Sequence, residues 1–113
     1  MNFALPRLIA SDLDGTFLNS QGGVSDANRA AVKRAHEAGI RVVFITGRPA
    51  RWLQVVADET EHHDLIIGAN GGFAADMRER KVVHRAAMEP AVLGEAVQRV
   101  RRTYPSAEFA AER

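Results

Sequence analysis

Asp12-Leu13-Asp14-Gly15-Thr16 holds two carboxylates two positions apart, directly after the apolar run Leu8-Ile9-Ala10, which predicts a short buried strand. In an open parallel sheet, ligands bind beyond the carboxyl ends of the strands. Alternate residues of an extended segment face opposite sides, so both acids serve one ligand only if the chain turns at or just after them. Gly15 permits that turn. The chemistry this suggests is one carboxylate attacking phosphorus and the other donating and accepting a proton, with a divalent cation cancelling charge. Taken alone, the pentapeptide reads equally well as an Asp-rich structural turn. A calcium loop fails on spacing, because Phe17 stands where the sharp-turn glycine belongs. No Walker-type phosphate loop and no Gly-x-Gly-x-x-Gly fingerprint is present.

Asn19 to Gly23 is a polar loop, Ser25 caps a helix with Ala27, Ala31, Val32 and Ala35 at helical spacing, and Gly39 stops it. Val42-Val43-Phe44-Ile45 predicts a strand covered on both faces, so the unit is β-α-β. Thr46-Gly47-Arg48-Pro49 closes that strand and opens a second helix through Trp52, Leu53, Val55 and Val56. Leu65-Ile66-Ile67 predicts a third strand, ending in Gly68-Ala69-Asn70-Gly71-Gly72. Right-handed crossovers between neighbouring parallel strands bring all three turns to one edge, so Asp12, Asp14, Thr46 and Asn70 should converge. Beyond Gly72, Phe73-Ala75 and Val82-His84 read as a hairpin. A helix follows from about Pro90 to Arg102 with Val92, Leu93, Ala96, Val97 and Val100 inward, and Ala107 to Ala111 could begin another strand.

At 113 residues, 46% apolar and 26% charged, the chain has the balance of one globular domain, with no stretch long enough to span a membrane. A net charge of +1 gives no general attraction to nucleic acid or anionic membranes, so affinity for phosphate must be local. The absence of cysteine excludes disulfides, thiolate metal sites and cysteine catalysis. No secretory signal core is recognisable, and a cytoplasmic location is the expectation.

Asp-x-Asp-Gly-Thr, then Thr-Gly-Arg-Pro, then Asn-Gly, each after a strand, resembles the haloacid dehalogenase superfamily of phosphatases, in particular the Cof-type branch with a large α/β cap inserted after the third strand. The resemblance implies an α/β fold with a Rossmann-like parallel sheet over residues 1–86, hairpin included, and the start of an inserted α+β cap over residues 87–113. It implies that Asp12 is a nucleophile forming an aspartyl-phosphate and a Mg²⁺ ligand. Asp14 would be the proton donor and acceptor, its backbone carbonyl also binding Mg²⁺. Thr46, the Gly47 amide and Asn70 would hold phosphate. Arg48 has three readings: a phosphate-side contact, a cap-side contact, or a solvated residue beside the helix. Asp12 would raise the pKa of Asp14, whereas Mg²⁺ would lower both.

The family's later lysine and second acidic motif have no counterpart, since Lys33 and Lys81, and Asp58, Asp64 and Asp76, lack the right context. The expectation is therefore the N-terminal part of a longer phosphatase of small phosphorylated metabolites, such as a sugar phosphate or a flavin-related phosphate. Its first strand would lack a neighbour on one side, inviting self-association. The alternatives are a related phosphotransferase or phosphomutase, or a phosphate- and Mg²⁺-binding fragment without turnover. Glu61-His62-His63-Asp64 reads as an exposed loop before the third strand rather than a metal site. His36 and His84 read as solvated, Arg7, Arg85, Arg99, Arg101 and Arg102 as solvated charge, and Trp52 and Phe73 as core or cap-interface residues.

Overall fold

The computed structural model of the chain describes residues 4–111. One mixed sheet organises them, with β1 (Leu8–Asp12), β2 (Arg41–Ile45), β3 (Leu65–Gly68), β4 (Phe73–Asp76) and β5 (Lys81–Arg85) side by side in that order. The first three strands are parallel, and β4 and β5 each run antiparallel to the strand before. The expected hairpin therefore extends the same α/β sheet. Its turn is held by Asp76, whose Oδ1 accepts the Arg78 and Glu79 amides at 2.9 and 3.1 Å.

Helix α1 (Asp26–Glu37) starts where the Ser25 hydroxyl accepts the Asn28 amide at 3.1 Å, and ends at Gly39, whose φ of 73° lets the chain turn into β2. Helix α2 (Leu53–Thr60) follows one turn of 3₁₀ helix at Ala50–Trp52, with Pro49 just ahead of it. Val32 and Ala35 of α1 and Leu53, Val56 and Ala57 of α2 share one core with Val42, Phe44 and Ile66. Register puts Phe44 beside Ile66 and Ile66 beside Ala75, so these side chains stand on one face of the sheet. Both helices cover that face, as two right-handed crossovers stepping the same way require.

Several expectations are corrected. Strand β1 is not buried, for Leu8 is 51% and Ile9 39% exposed, because among the described residues β1 is the edge of the sheet and only β2 flanks it. In β2, Val42, Val43 and Phe44 are buried but Ile45, the last residue of the strand, is 39% exposed. Helix α3 (Pro90–Thr103) buries none of its residues, and its stripe of Val92, Leu93 and Val100 faces solvent instead of a core. Trp52 is exposed beneath the Arg51 guanidinium, 5.5 Å from its ring, whereas Phe73 is core as expected. Residues 107–111 form no strand. Within Glu61 to Asp64, His62 is fully buried rather than looped into solvent.

Candidate active site

The end of β1 runs straight into a wide turn over Leu13–Phe17, closed by the Leu18 amide donating to the Leu13 carbonyl at 2.9 Å. Sequence dictates the geometry twice over: Leu13 is fully buried and anchors the turn, while Gly15 takes a φ of 76° that a side chain would resist. Asp12 stands at the strand end, where its Oδ1 accepts the Leu13 amide at 2.9 Å and its Oδ2 faces the Thr16 hydroxyl at 3.4 Å. Across the ladder its neighbour is Ile45, which brings Asp12 beside the start of the second turn.

That second turn is stitched to the third by backbone bonds. The buried Thr46 donates its amide to the Ile67 carbonyl at 2.9 Å and accepts the Asn70 amide on its own carbonyl at 3.1 Å, while the Arg48 carbonyl accepts the Ala69 amide at 2.9 Å. The Thr46 hydroxyl accepts the Arg48 amide at 3.1 Å. Ala69 and Asn70 both adopt left-handed conformations, with φ of 49° and 53°, a strain more readily tolerated by Asn than by Ala. A Cβ on Gly47 would lie 3.1 Å from the Asn70 Oδ1, so glycine there lets the Asn70 amide rest against the backbone.

Arg48 closes the arrangement from the other side. Its Nη2 donates to one oxygen of Asp14 at 2.7 Å and its Nε to the other at 3.1 Å, a bidentate pair across two turns. The hydrogen bond from this guanidinium holds the Asp14 carboxyl below the usual carboxylate range, opposed by partial desolvation and aided weakly by Thr46. Asp14 is therefore ionised at neutral pH, and Arg48 dominates it rather than the neighbouring Asp12. In turn Asp14 pushes the Arg48 pKa up. Of the three readings of Arg48, none named this partner; residue type and spacing alone do not say which acid a guanidinium meets 34 positions away. The Thr16 contact to Asp12 was likewise missed, although a hydroxyl four residues after an acid in a turn is a readable signal.

All the sequence-derived candidates thus lie on one sheet edge. For a divalent cation, the Asp12 carboxylate and the Asp14 carbonyl supply oxygen donors alone, the chemistry a hard cation such as Mg²⁺ prefers. Among the described residues no group of three or more acidic, histidine or cysteine side chains is assembled to hold a metal. Two protein oxygens still suit Mg²⁺, which retains most of its water. An apolar cavity of about 240 Å³ begins one residue from Asn70, lined by Ala69, Gly72, Phe73, Met88 and Leu93 with Arg85 as its charged member.

Residues 9–112 match the family model for haloacid dehalogenase-like hydrolases. The chain belongs to that family. It is 38% identical over 82 residues to the 5-amino-6-(5-phospho-D-ribitylamino)uracil phosphatase YcsE of Bacillus subtilis, a match covering 69% of this chain and 33% of the relative. A second relative from the same organism, the phosphatase of the same description called YwtE, is 42% identical over 76 residues, or 67% of this chain and 26% of its own length. The fold is similar to that of a haloacid dehalogenase-like hydrolase from B. subtilis, with a TM-score of 0.75 and 31% identity over 87% of this chain and 34% of that one. The chain thus spans about a third or less of the length of these relatives. Among the described residues no helix is long and apolar enough to cross a membrane.

Proposed function

We propose that this chain supplies the nucleophile half of a Mg²⁺-dependent phosphoric monoester hydrolase that works through an aspartyl-phosphate on Asp12. The observation that supports it best is the joining of three strand-end turns: Asp14 with Arg48 at 2.7 Å, and Thr46 with Asn70 at 3.1 Å, beside Asp12. That relatives of similar sequence are named as phosphatases of a phosphorylated metabolite supports the same reading.

In this reading the Thr46 hydroxyl and the Gly47 amide take the phosphate oxygens, and the Asn70 amide orients that side of the group. A phosphate dianion arriving there competes with Asp14 for the Arg48 guanidinium, and Asp14, parted from it, regains affinity for a proton. An Asp12 oxygen forms a bond to phosphorus as the ester oxygen leaves, and Asp14 gives its proton to that oxygen. In the second half Asp14 takes a proton from water as the water oxygen attacks phosphorus, releasing phosphate and restoring Asp12. Mg²⁺, held by Asp12 and the Asp14 carbonyl, would neutralise charge on the transferring group. The apolar cavity beside Asn70 offers room for the leaving group. Cap contacts from residues 87–113 onward would then choose the substrate.

The lysine and second acidic ligand implied by the family have no match here, so the 113-residue chain alone is expected to turn over slowly. The deciding experiment is therefore capture of the intermediate. After incubation with Mg²⁺ and a reactive phosphoryl donor, intact mass should reveal one phosphoryl group on Asp14→Asn and none on the double variant Asp12→Asn/Asp14→Asn. Equal labelling of the two proteins would overturn the assignment of Asp12. No labelling of either, with phosphate still bound in a Thr46-dependent way, would favour a binding fragment without turnover.

A further inference from the structure

Outside the candidate site, one buried titratable side chain has half of its hydrogen-bonding capacity unused. His62 follows the end of α2 and is 0% exposed. Its Nε2 lies 3.0 Å from the Leu65 carbonyl, which can only accept, so the proton of the neutral ring sits on Nε2. Its Nδ1 is buried and has no hydrogen-bond partner. The ring packs on Phe44 of β2 with centroids 4.6 Å apart. In the neutral form an unpaired Nδ1 forgoes one acceptor bond; in the protonated form it would be a buried cationic N–H with nothing to receive it, which is far more costly.

We propose that His62 is an acid-operated latch, whose uptake of one proton at Nδ1 releases the corner between α2 and β3 while the rest of the sheet stays closed.

The charged and titratable groups around the ring come from α1 and from the corner itself. From α1, His36 stands with its ring 6.4 Å away and disfavours charge on His62. From the same corner, His63 also opposes it, while Asp64 favours it. Asp64 does not meet Nδ1: its Oδ1 receives Arg41 Nη2 and the Leu65 amide, each at 3.0 Å, and no hydrogen bond joins it to the unpaired His62 nitrogen. Glu61 is held by Arg29 at 3.4 Å, and the Thr60 hydroxyl is committed to the Val56 carbonyl at 2.7 Å. From β2 the ring of Phe44 packs on the imidazole. Burial is the largest influence, and the balance lowers the His62 pKa below its ordinary value. For a base whose folded pKa is depressed, the folded corner is at full strength above the ordinary imidazole value, near 6.5. It weakens as pH falls below that value, because only the open state binds the proton.

Release at this corner reaches the candidate site by a short route. Strand β3 is four residues long, with the His62 corner at its start and the Ala69-Asn70 turn at its end. The His62 amide also donates to the Ala57 carbonyl at 2.9 Å, so the same opening frees the last turn of α2.

The test is amide hydrogen exchange of the full chain from pH 7.5 to 5, corrected for the intrinsic rate, with His62 as reporter and Val43 of β2 as reference. The opening constant at His62 should rise about tenfold per pH unit below 6.5, the slope for one proton, while that at Val43 stays flat. Nitrogen spectra of the imidazole at pH 7 should find the neutral Nε2–H form. In His62→Gln, which keeps a donor for the Leu65 carbonyl but does not titrate in this range, the slope should vanish. A flat opening constant at His62, an equal rise at Val43, a ring already protonated at pH 7, or an unchanged slope in a folded His62→Gln would each overturn the latch. The wild-type exchange and ring spectra decide the matter even if the variant does not fold.

Discussion

The two ends of the three parallel strands are built on opposite principles. At the carboxyl end, charged and polar side chains meet at the surface, the backbone is held in left-handed turns at Ala69 and Asn70, and the closest pair is the accessible Asp14 with Arg48 at 2.7 Å. At the other end, below α2, a neutral imidazole is sealed against Phe44 with one nitrogen unpaired. Polar groups that must meet a ligand are left where water and the ligand can exchange. Polar groups that hold the fold are buried and pay for it in sensitivity to protonation. Changes at the first end should therefore cost activity and little stability, and changes at the second the reverse.

The strongest way to break this contrast is Asp12→Asn. In an active form of the enzyme kcat should fall by about 10³-fold or more, since the amide is a poor nucleophile toward phosphorus, while the melting temperature stays near that of the parent. A large loss of stability would mean that Asp12 holds the turn rather than doing chemistry. Phe44→Ala is the counterpart: removing a fully buried ring shared by α1, β2 and the His62 contact should cost about 3–5 kcal/mol in urea denaturation.

Thr46→Val lies between the two, because Thr46 is buried yet faces the site. It keeps the volume and loses the hydroxyl, so kcat/KM should fall by about 1–3 kcal/mol in transition-state terms, with a smaller change in stability. An unchanged kcat/KM in a folded variant would reduce Thr46 to a cap for the Arg48 amide.

Strand β1 is the edge of the sheet among the described residues. The Arg41 amide donates to the Arg7 carbonyl at 3.2 Å, so odd-numbered residues of β1 turn their backbone groups toward β2 and Leu8, Ala10 and Asp12 turn theirs outward. We expect the 113-residue chain to self-associate through this free edge. Ala10→Pro removes an outward amide without touching the ladder to β2, and should shift sedimentation toward monomer at equal concentration. No association in the parent, or no shift in the variant, would count against the edge.

The smallest effect is expected at the Asp14 pair, which is solvent-accessible. Arg48→Gln should change stability by about 1 kcal/mol or less at pH 7. The folded Asp14 pKa lies below its ordinary 3.8, so whatever the pair contributes is present above pH 3.8 and is lost as pH falls through the folded value. The parent and variant denaturation curves should converge there. A difference that grows with acid would contradict the pairing.

Local sequence determined much of this molecule. Ser25 and Gly39 set the limits of α1, Asp12 to Gly15 could only leave β1 by a turn, and the β-branched runs 42–45 and 65–67 became strands, because capping, glycine conformation and hydrophobic period act over a few residues. The order of those elements, with right-handed crossovers, was enough to bring Asp12, Asp14, Thr46 and Asn70 to one edge. What the tertiary structure decided is what each side chain meets. Arg48 found Asp14 across 34 positions, His62 turned inward from a run that reads as polar loop, and Leu8 and the apolar stripe of α3 stayed in water. Periodicity says that a residue is suited to burial, but burial needs a partner surface, and pairing of charges needs a distance. Both are properties of how the elements pack, and no local window of sequence contains them.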